Sequence, residues 1–210
     1  MNERRQKTLI IVTGGPGTGK SYAAAKIQKH FQDLVPLSYD SIKEKEWDRF
    51  GFDNAEQKAR LNRFCLEEFY LTLQKMMWEG KQILIEYPFN MSHRGELAAL
   101  IETYGYTAIT VYLHGDWRII YDRGINRDKN ERRHPGHLTN CYHIENGTDQ
   151  NSIVQDAVLT YEQFRADIDR KNYDIRLGET IAVDVTDYKK VDFESILQQI
   201  AEVGQGDVSF

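Results

Sequence analysis

The stretch LIIVTGGPGTGKS, residues 9–21, decides how the rest of the chain is read. Four apolar, mostly β-branched residues run into a glycine-rich turn, and a lysine and a serine then open a helical pattern. Residues 14–21 satisfy G-x-x-x-x-G-K-[ST] in full, and they do so between a predicted strand and a predicted helix, where the mechanism of that motif needs them. Glycines let the backbone curl so that successive N–H groups of Gly15, Pro16-flanked Gly17, Thr18 and Gly19 point at phosphate oxygens. The helix N-terminus adds partial positive charge. Lys20 is expected to reach the β- and γ-phosphates of ATP, and Ser21 to hold Mg²⁺. The plain alternative is a glycine turn that binds nothing, but a chance match rarely has both flanks correct.

Outward from this loop, short apolar runs alternate with helical periodicity. Strands are expected at 9–12, 35–38, 82–86, 107–113 and 180–185. Helices are expected at 20–31, 54–79, 92–104, 116–126, about 152–172 and 192–203. The helix at 54–79 carries Leu61, Cys65, Phe69, Leu73 and Met76 on one stripe. The helix near 152 has a capping box in Ser152 and Gln155. Such alternation implies a parallel sheet with right-handed crossovers in one α/β domain spanning residues 1–210. Residues 127–151 break the rhythm with polar, aperiodic sequence, which reads as a lid covering about 123–151.

Ligands of open α/β sheets sit at the carboxyl ends of the strands. Two acids lie there. Asp40, just past the second strand, is placed to accept the proton of an attacking hydroxyl; the alternative is an N-cap for a helix begun by Ser41. Glu86 closes the third strand, where a carboxylate needs a partner such as magnesium or its water; the alternative is a strand-end salt bridge. Arg94, after that strand, is a candidate for an anionic group of the acceptor, or else a solvated arginine. Arg123, Arg127, Arg132 and Arg133 lie in or next to the lid, the first two four apart on one helix face. They are candidates for stabilising charge on a transferring phosphoryl group, Arg123 and Arg127 foremost. Interleaved Asp122, Asp128 and Glu131 offer the competing reading of ordinary ion pairs. His134, His137, Cys141 and His143 raise a zinc-stabilised lid as an alternative to plain substrate contacts, though their spacing matches no familiar site. Residues 185–188 occupy the place where adenine is often held.

In GGPGTGKS (14–21), LSYDSIKEKEWDRFG (37–51), QILIEYPFNMSHRGELAALIETYG (82–105), ITVYLHGDWRIIYDRGINRD (109–128) and RHPGH (133–137), the chain resembles the P-loop kinases grouped around phage polynucleotide kinase and zeta toxin. The resemblance implies a three-layer P-loop NTPase fold: a five-stranded parallel sheet of order 2-3-1-4-5, helices on both faces and a lid. It implies Asp40 as the residue activating the acceptor, a metal role at the position of Glu86, where such proteins commonly carry Asp, and lid arginines at Arg123 and Arg127. A shikimate-kinase pattern fits less well, because Tyr87-Pro88-Phe89 replaces its glycine run. Members of the group phosphorylate nucleic-acid ends, nucleotide sugars, antibiotics and small metabolites.

Composition narrows the classes further. A net charge of −5 disfavours broad nucleic-acid binding, although a short strand needs only a local groove. Two cysteines argue against a disulfide framework. No apolar segment approaches the ~20 residues of a membrane helix, and the amino-terminal apolar run is too short for a signal peptide, so a cytoplasmic protein is expected. The reading is an ATP- and Mg²⁺-dependent transfer of a phosphoryl group to a hydroxyl of a small molecule or nucleotide. Its rivals are a nucleotide-dependent switch and a nucleic-acid 5′-end kinase.

Overall fold

Thr8–Gly14 forms the central strand β1, buried along its whole length. Ile10 and Val12 enter one apolar cluster, and Leu9 and Ile11 another, so successive side chains feed opposite faces. A strand covered on both faces needs apolar residues at every position, which is what the LIIV run supplies. The computed structural model describes residues 6–130, 133–144 and 159–205.

Four further strands flank β1: β2 (Leu34–Ser38), β3 (Gln82–Glu86), β4 (Thr107–His114) and β5 (Glu179–Asp184). All pairings are parallel, as the alternation of elements implies, and the order is β2-β3-β1-β4-β5, as the family resemblance implies. The helices are α1 (Lys20–His30), α2 (Tyr39–Phe50), α3 (Ala55–Trp78), α4 (Met91–Tyr104), α5 (Trp117–Asn130), α6 (Tyr161–Lys171) and α7 (Phe193–Gln205). One face of the sheet packs against Ala23, Ala24 and Ile27 of α1, Ile120 of α5, Phe164 and Ile168 of α6 and Ile196 and Ile200 of α7. The other packs against α3 and α4 through Cys65, Phe69, Leu73, Met77, Leu97 and Leu100. Two apolar clusters on one sheet make the three layers of an α/β P-loop fold.

Several boundaries differ from the sequence reading. α2 starts at Tyr39, capped by Ser38, whose hydroxyl accepts from the Ser41 amide. Asp40 is therefore inside the first helical turn and is not the cap. α5 runs on to Asn130, so Arg127 is helical rather than part of an irregular segment. The capping box of α6 is Thr160 with Gln163; the Ser152–Gln155 pair lies outside the described residues. Met77, not Met76, is the buried methionine that completes the α3 stripe.

Candidate active site

The carboxyl ends of β1, β2 and β3 come together around one lysine. Lys20 opens α1 directly after Gly19, which has φ 81° and makes no side-chain cap, leaving the first amides of α1 to other acceptors. Gly17 has φ 84°, and a Cβ there would meet the Ile120 carbonyl at 2.7 Å. Side chains at Gly17 and Gly19 would be strained in φ, and one at Gly19 would run into the Tyr188 ring. The Lys20 ammonium donates to the Gly15 carbonyl at 3.1 Å. Burial pushes its pKa down to about 8, while the carboxylates of Glu86 and Asp40 act to raise it.

Ser21 Oγ lies 3.3–3.4 Å from the carboxylate oxygens of Glu86, and Ser38 Oγ lies 3.4 Å from Glu86 Oε1. The parallel register puts Ser38 beside Glu86, which explains the second contact. Burial raises the Glu86 pKa, with the Asp40 carboxylate adding to it; Lys20 and the two hydroxyls oppose. Two hydroxyls and one carboxylate make an oxygen-only donor set of the kind Mg²⁺ takes, so these residues fit that ion.

Asp40 ion-pairs with Lys43, one helical turn on, at 2.6 Å. Burial works against its ionisation, but the Lys43 ammonium, aided by His137 and Lys20, outweighs it and holds the carboxyl below its usual range. Lys43 is itself nearly buried, with its ammonium 5.0–5.2 Å from the ring centres of Tyr39, Trp47 and Tyr87. An ammonium walled in by three rings and one carboxylate has little freedom, so Asp40 is held in place as well as charged.

The arginines divide. Arg127 and Arg133 both bind Asp128, at 2.7 and 3.2 Å, and their charges depress Lys20. Arg123 turns the other way. It donates to the carbonyls of Val185 and Thr186 at 2.8 and 2.9 Å, with its guanidinium 5.1 Å over the Tyr188 ring. Tyr188 in turn donates its hydroxyl hydrogen to the Thr18 carbonyl at 2.7 Å, with the Gly19 carbonyl at 3.1 Å. Arg123 thus braces the loop after β5 against the phosphate loop. Arg94 gives its Nε–H to the Ile175 carbonyl at 2.9 Å, which ties α4 to the α6–β5 connection and not to the group around Asp40. Arg132 lies outside the described residues.

The histidines spread along α2 and the turn after it instead of converging. His137 meets Glu44 at 2.7 Å, His134 meets Asp48 at 3.1 Å, and His143 meets Asp53 at 2.8 Å. Tyr142 adds a bond to Asp48. Cys141 is exposed, and no group of three metal-ligating side chains gathers among the described residues. Asp40, Glu44 and Asp48 stand four apart on α2, one face of the helix receiving the 133–144 segment over Trp47. Lys43, Ser38, this acidic ladder and the Tyr188 clamp were missed from sequence. The ladder has a signal in its four-residue spacing, hidden when the helix is read as starting at Ser41, which leaves Asp40 outside it. A pocket of about 250 Å³ lies between the phosphate loop and this segment, lined by Gly17, Arg127, Arg133 and His137 among others.

The profile of the family described as Zeta toxin matches residues 1–177. None of the curated proteins matches the sequence. Among solved structures, a protein of Chloroflexus aurantiacus described as a kinase is similar at TM-score 0.73 and 23% identity, over 93% of this chain and 97% of that one. A gluconokinase of Sinorhizobium meliloti aligns at TM-score 0.54 and 14% identity, over 96% and 91%. A shikimate kinase of Acinetobacter baumannii aligns at 0.55 and 14%, over 94% of each chain. At these identities the likenesses establish the fold.

Proposed function

The chain belongs to the zeta toxin family, and from that premise we propose that it transfers the γ-phosphoryl group of ATP to a hydroxyl of a small molecule or nucleotide. One observation carries the reading: a phosphate-loop lysine buried between two carboxylates at adjacent strand ends, one facing serine hydroxyls and the other held ionised by its own lysine.

The backbone N–H groups of Gly15 and residues 17–21, with the Lys20 ammonium, bind and orient the phosphates. Ser21 and Glu86 would hold Mg²⁺, which when bound neutralises charge on the phosphate oxygens. Asp40 accepts a hydrogen bond from the acceptor hydroxyl and aims its oxygen at the γ-phosphorus. As the new O–P bond forms and the β–γ bridge breaks, ADP leaves and the hydroxyl proton passes to Asp40. A carboxylate of lowered pKa is a weak base, so its main work is orientation, in keeping with a loose transition state that needs positioning and charge more than proton abstraction. Arg127, with Arg133 beside it, supplies positive charge near the transferring group. Arg123 supports the nucleotide side through residues 185–188. No helix among the described residues is long and apolar enough to cross a membrane.

Asp40→Asn tests this. Turnover should fall by orders of magnitude with ATP affinity near that of the parent protein. Unchanged turnover removes Asp40 from the reaction.

A further inference from the structure

α3 has two apolar faces, and the catalytic reading uses neither. The inward stripe, Cys65, Phe69, Leu73 and Met77, packs on the sheet. On the outward side Phe64, Leu71 and Trp78 recur every seven residues and are 51%, 66% and 79% exposed. They form a single ridge about 21 Å long at 1.5 Å per residue. Scattered apolar residues on a surface need no explanation, but three large ones in heptad register on one helix form a patch of the kind that marks an interaction face.

The charges around the ridge say what covers it. Arg63 lies at its amino end, Glu67 and Glu68 before Leu71, Lys75 after it, and Glu79 at its carboxyl end. We propose that the ridge pairs with the same ridge of a second copy, antiparallel about a two-fold axis at Leu71. In that arrangement residue i of one copy lies level with residue 142 − i of the other, because both helices rise equally from the axis. Phe64 then meets Trp78, Leu71 meets Leu71, and Lys75 comes within one residue of level with Glu68 of the other copy, which lies on the same flank of the ridge. Arg63 comes near the carboxyl-terminal end of the other helix, where cations are favoured. A parallel pair sets Lys75 seven residues from Glu68 of the other copy, so the Lys75–Glu68 pairs form only in the antiparallel arrangement. The inward stripe points to the opposite side of the helix, so pairing leaves the sheet and its core undisturbed. The phosphate loop and Asp40 lie on other elements and remain open to substrates.

The experiment is light scattering and sedimentation of the purified chain over a wide concentration range. A concentration-dependent species of twice the 24.5 kDa chain mass is expected. Leu71→Lys, which sets two lysines on the axis, should weaken association by about 30-fold or more, as loss of an interface hot spot does. Lys75→Glu should weaken it too, and E67K/E68K/K75E should restore it by reversing the pairs. Unchanged melting of each variant at monomeric concentration shows that the fold is intact. A monomer at every concentration overturns the proposal and leaves the ridge to a different protein. A dimer that L71K and K75E leave intact overturns it as well, since the dimer then uses another face.

Discussion

Lys43→Met separates the role of the caged lysine from that of the fold. Methionine keeps an unbranched stem among the rings of Tyr39, Trp47 and Tyr87 while removing the charge. Breaking a buried ion pair from one side costs about 3–5 kcal/mol. Asp40 keeps 34% of its side-chain surface in water, so the cost here is reduced to about 2 kcal/mol, or a melting point lower by about 4–8 °C for a chain of this size. The folded Asp40 pKa is depressed, so the pair stabilises at pH above the ordinary carboxylate range and its contribution is lost as pH falls through the lowered value. The gap between parent and variant should therefore close in acid. Without Lys43, burial acts on Asp40 with much less opposition and its pKa rises. The acid limb of kcat/KM should then move to higher pH in the variant. Thermal melts over a pH series, with kcat/KM measured over the same series, read both effects. An acid limb that stays in place while the melting point falls as expected would refute the coupling of Lys43 to turnover through Asp40.

Three further outcomes follow from the same geometry. Tyr188→Phe removes the hydroxyl that reaches Thr18 and Gly19; stability should drop by about 1 kcal/mol, and calorimetry should show ATP bound several-fold more weakly. Lys20 loses its proton above a pH of about 8, so kcat/KM for ATP should decline as pH rises through that value; a profile flat up to the 10.5 of an ordinary lysine would contradict the burial argument. At Gly136 a Cβ would come within 2.4 Å of the Trp47 ring, so Gly136→Ala should cost about 1–3 kcal/mol and raise hydrogen exchange across 133–144; protection equal to that of the parent would show that the segment does not rest on α2 through Trp47.

Wherever chemistry was local, the sequence was a sound guide. The β1 run and its glycine loop depend on neighbours in the chain, and β3 came out with both ends as expected, because an unbroken apolar run bounded by polar residues has few other solutions. The start of α2 was missed because two side chains compete to cap it. The Ser38 hydroxyl takes the helix amide, which leaves Asp40 free to pair with Lys43. The partners of the histidines could not be read at all, since His134, His137 and His143 bond to acids 86, 93 and 90 residues away. Arg123 and Arg127 share a helix face by spacing, yet they divide between two partners, and only the position of the loop after β5 decides which takes which. The α3 stripe slipped from Met77 to Met76 because 3.6-residue periodicity allows either where two apolar residues adjoin.

The central claim is transfer from ATP to an alcohol. γ-Labelled ATP should be incubated with the protein and Mg²⁺ against oligonucleotides, nucleotide sugars, aminoglycosides, chloramphenicol and cell metabolites, with Lys20→Met alongside. The account predicts label appearing in a hydroxyl-bearing product, ADP formed in equal amount, and both lost in the variant. Label released only as inorganic phosphate, at a rate no acceptor changes, would contradict it.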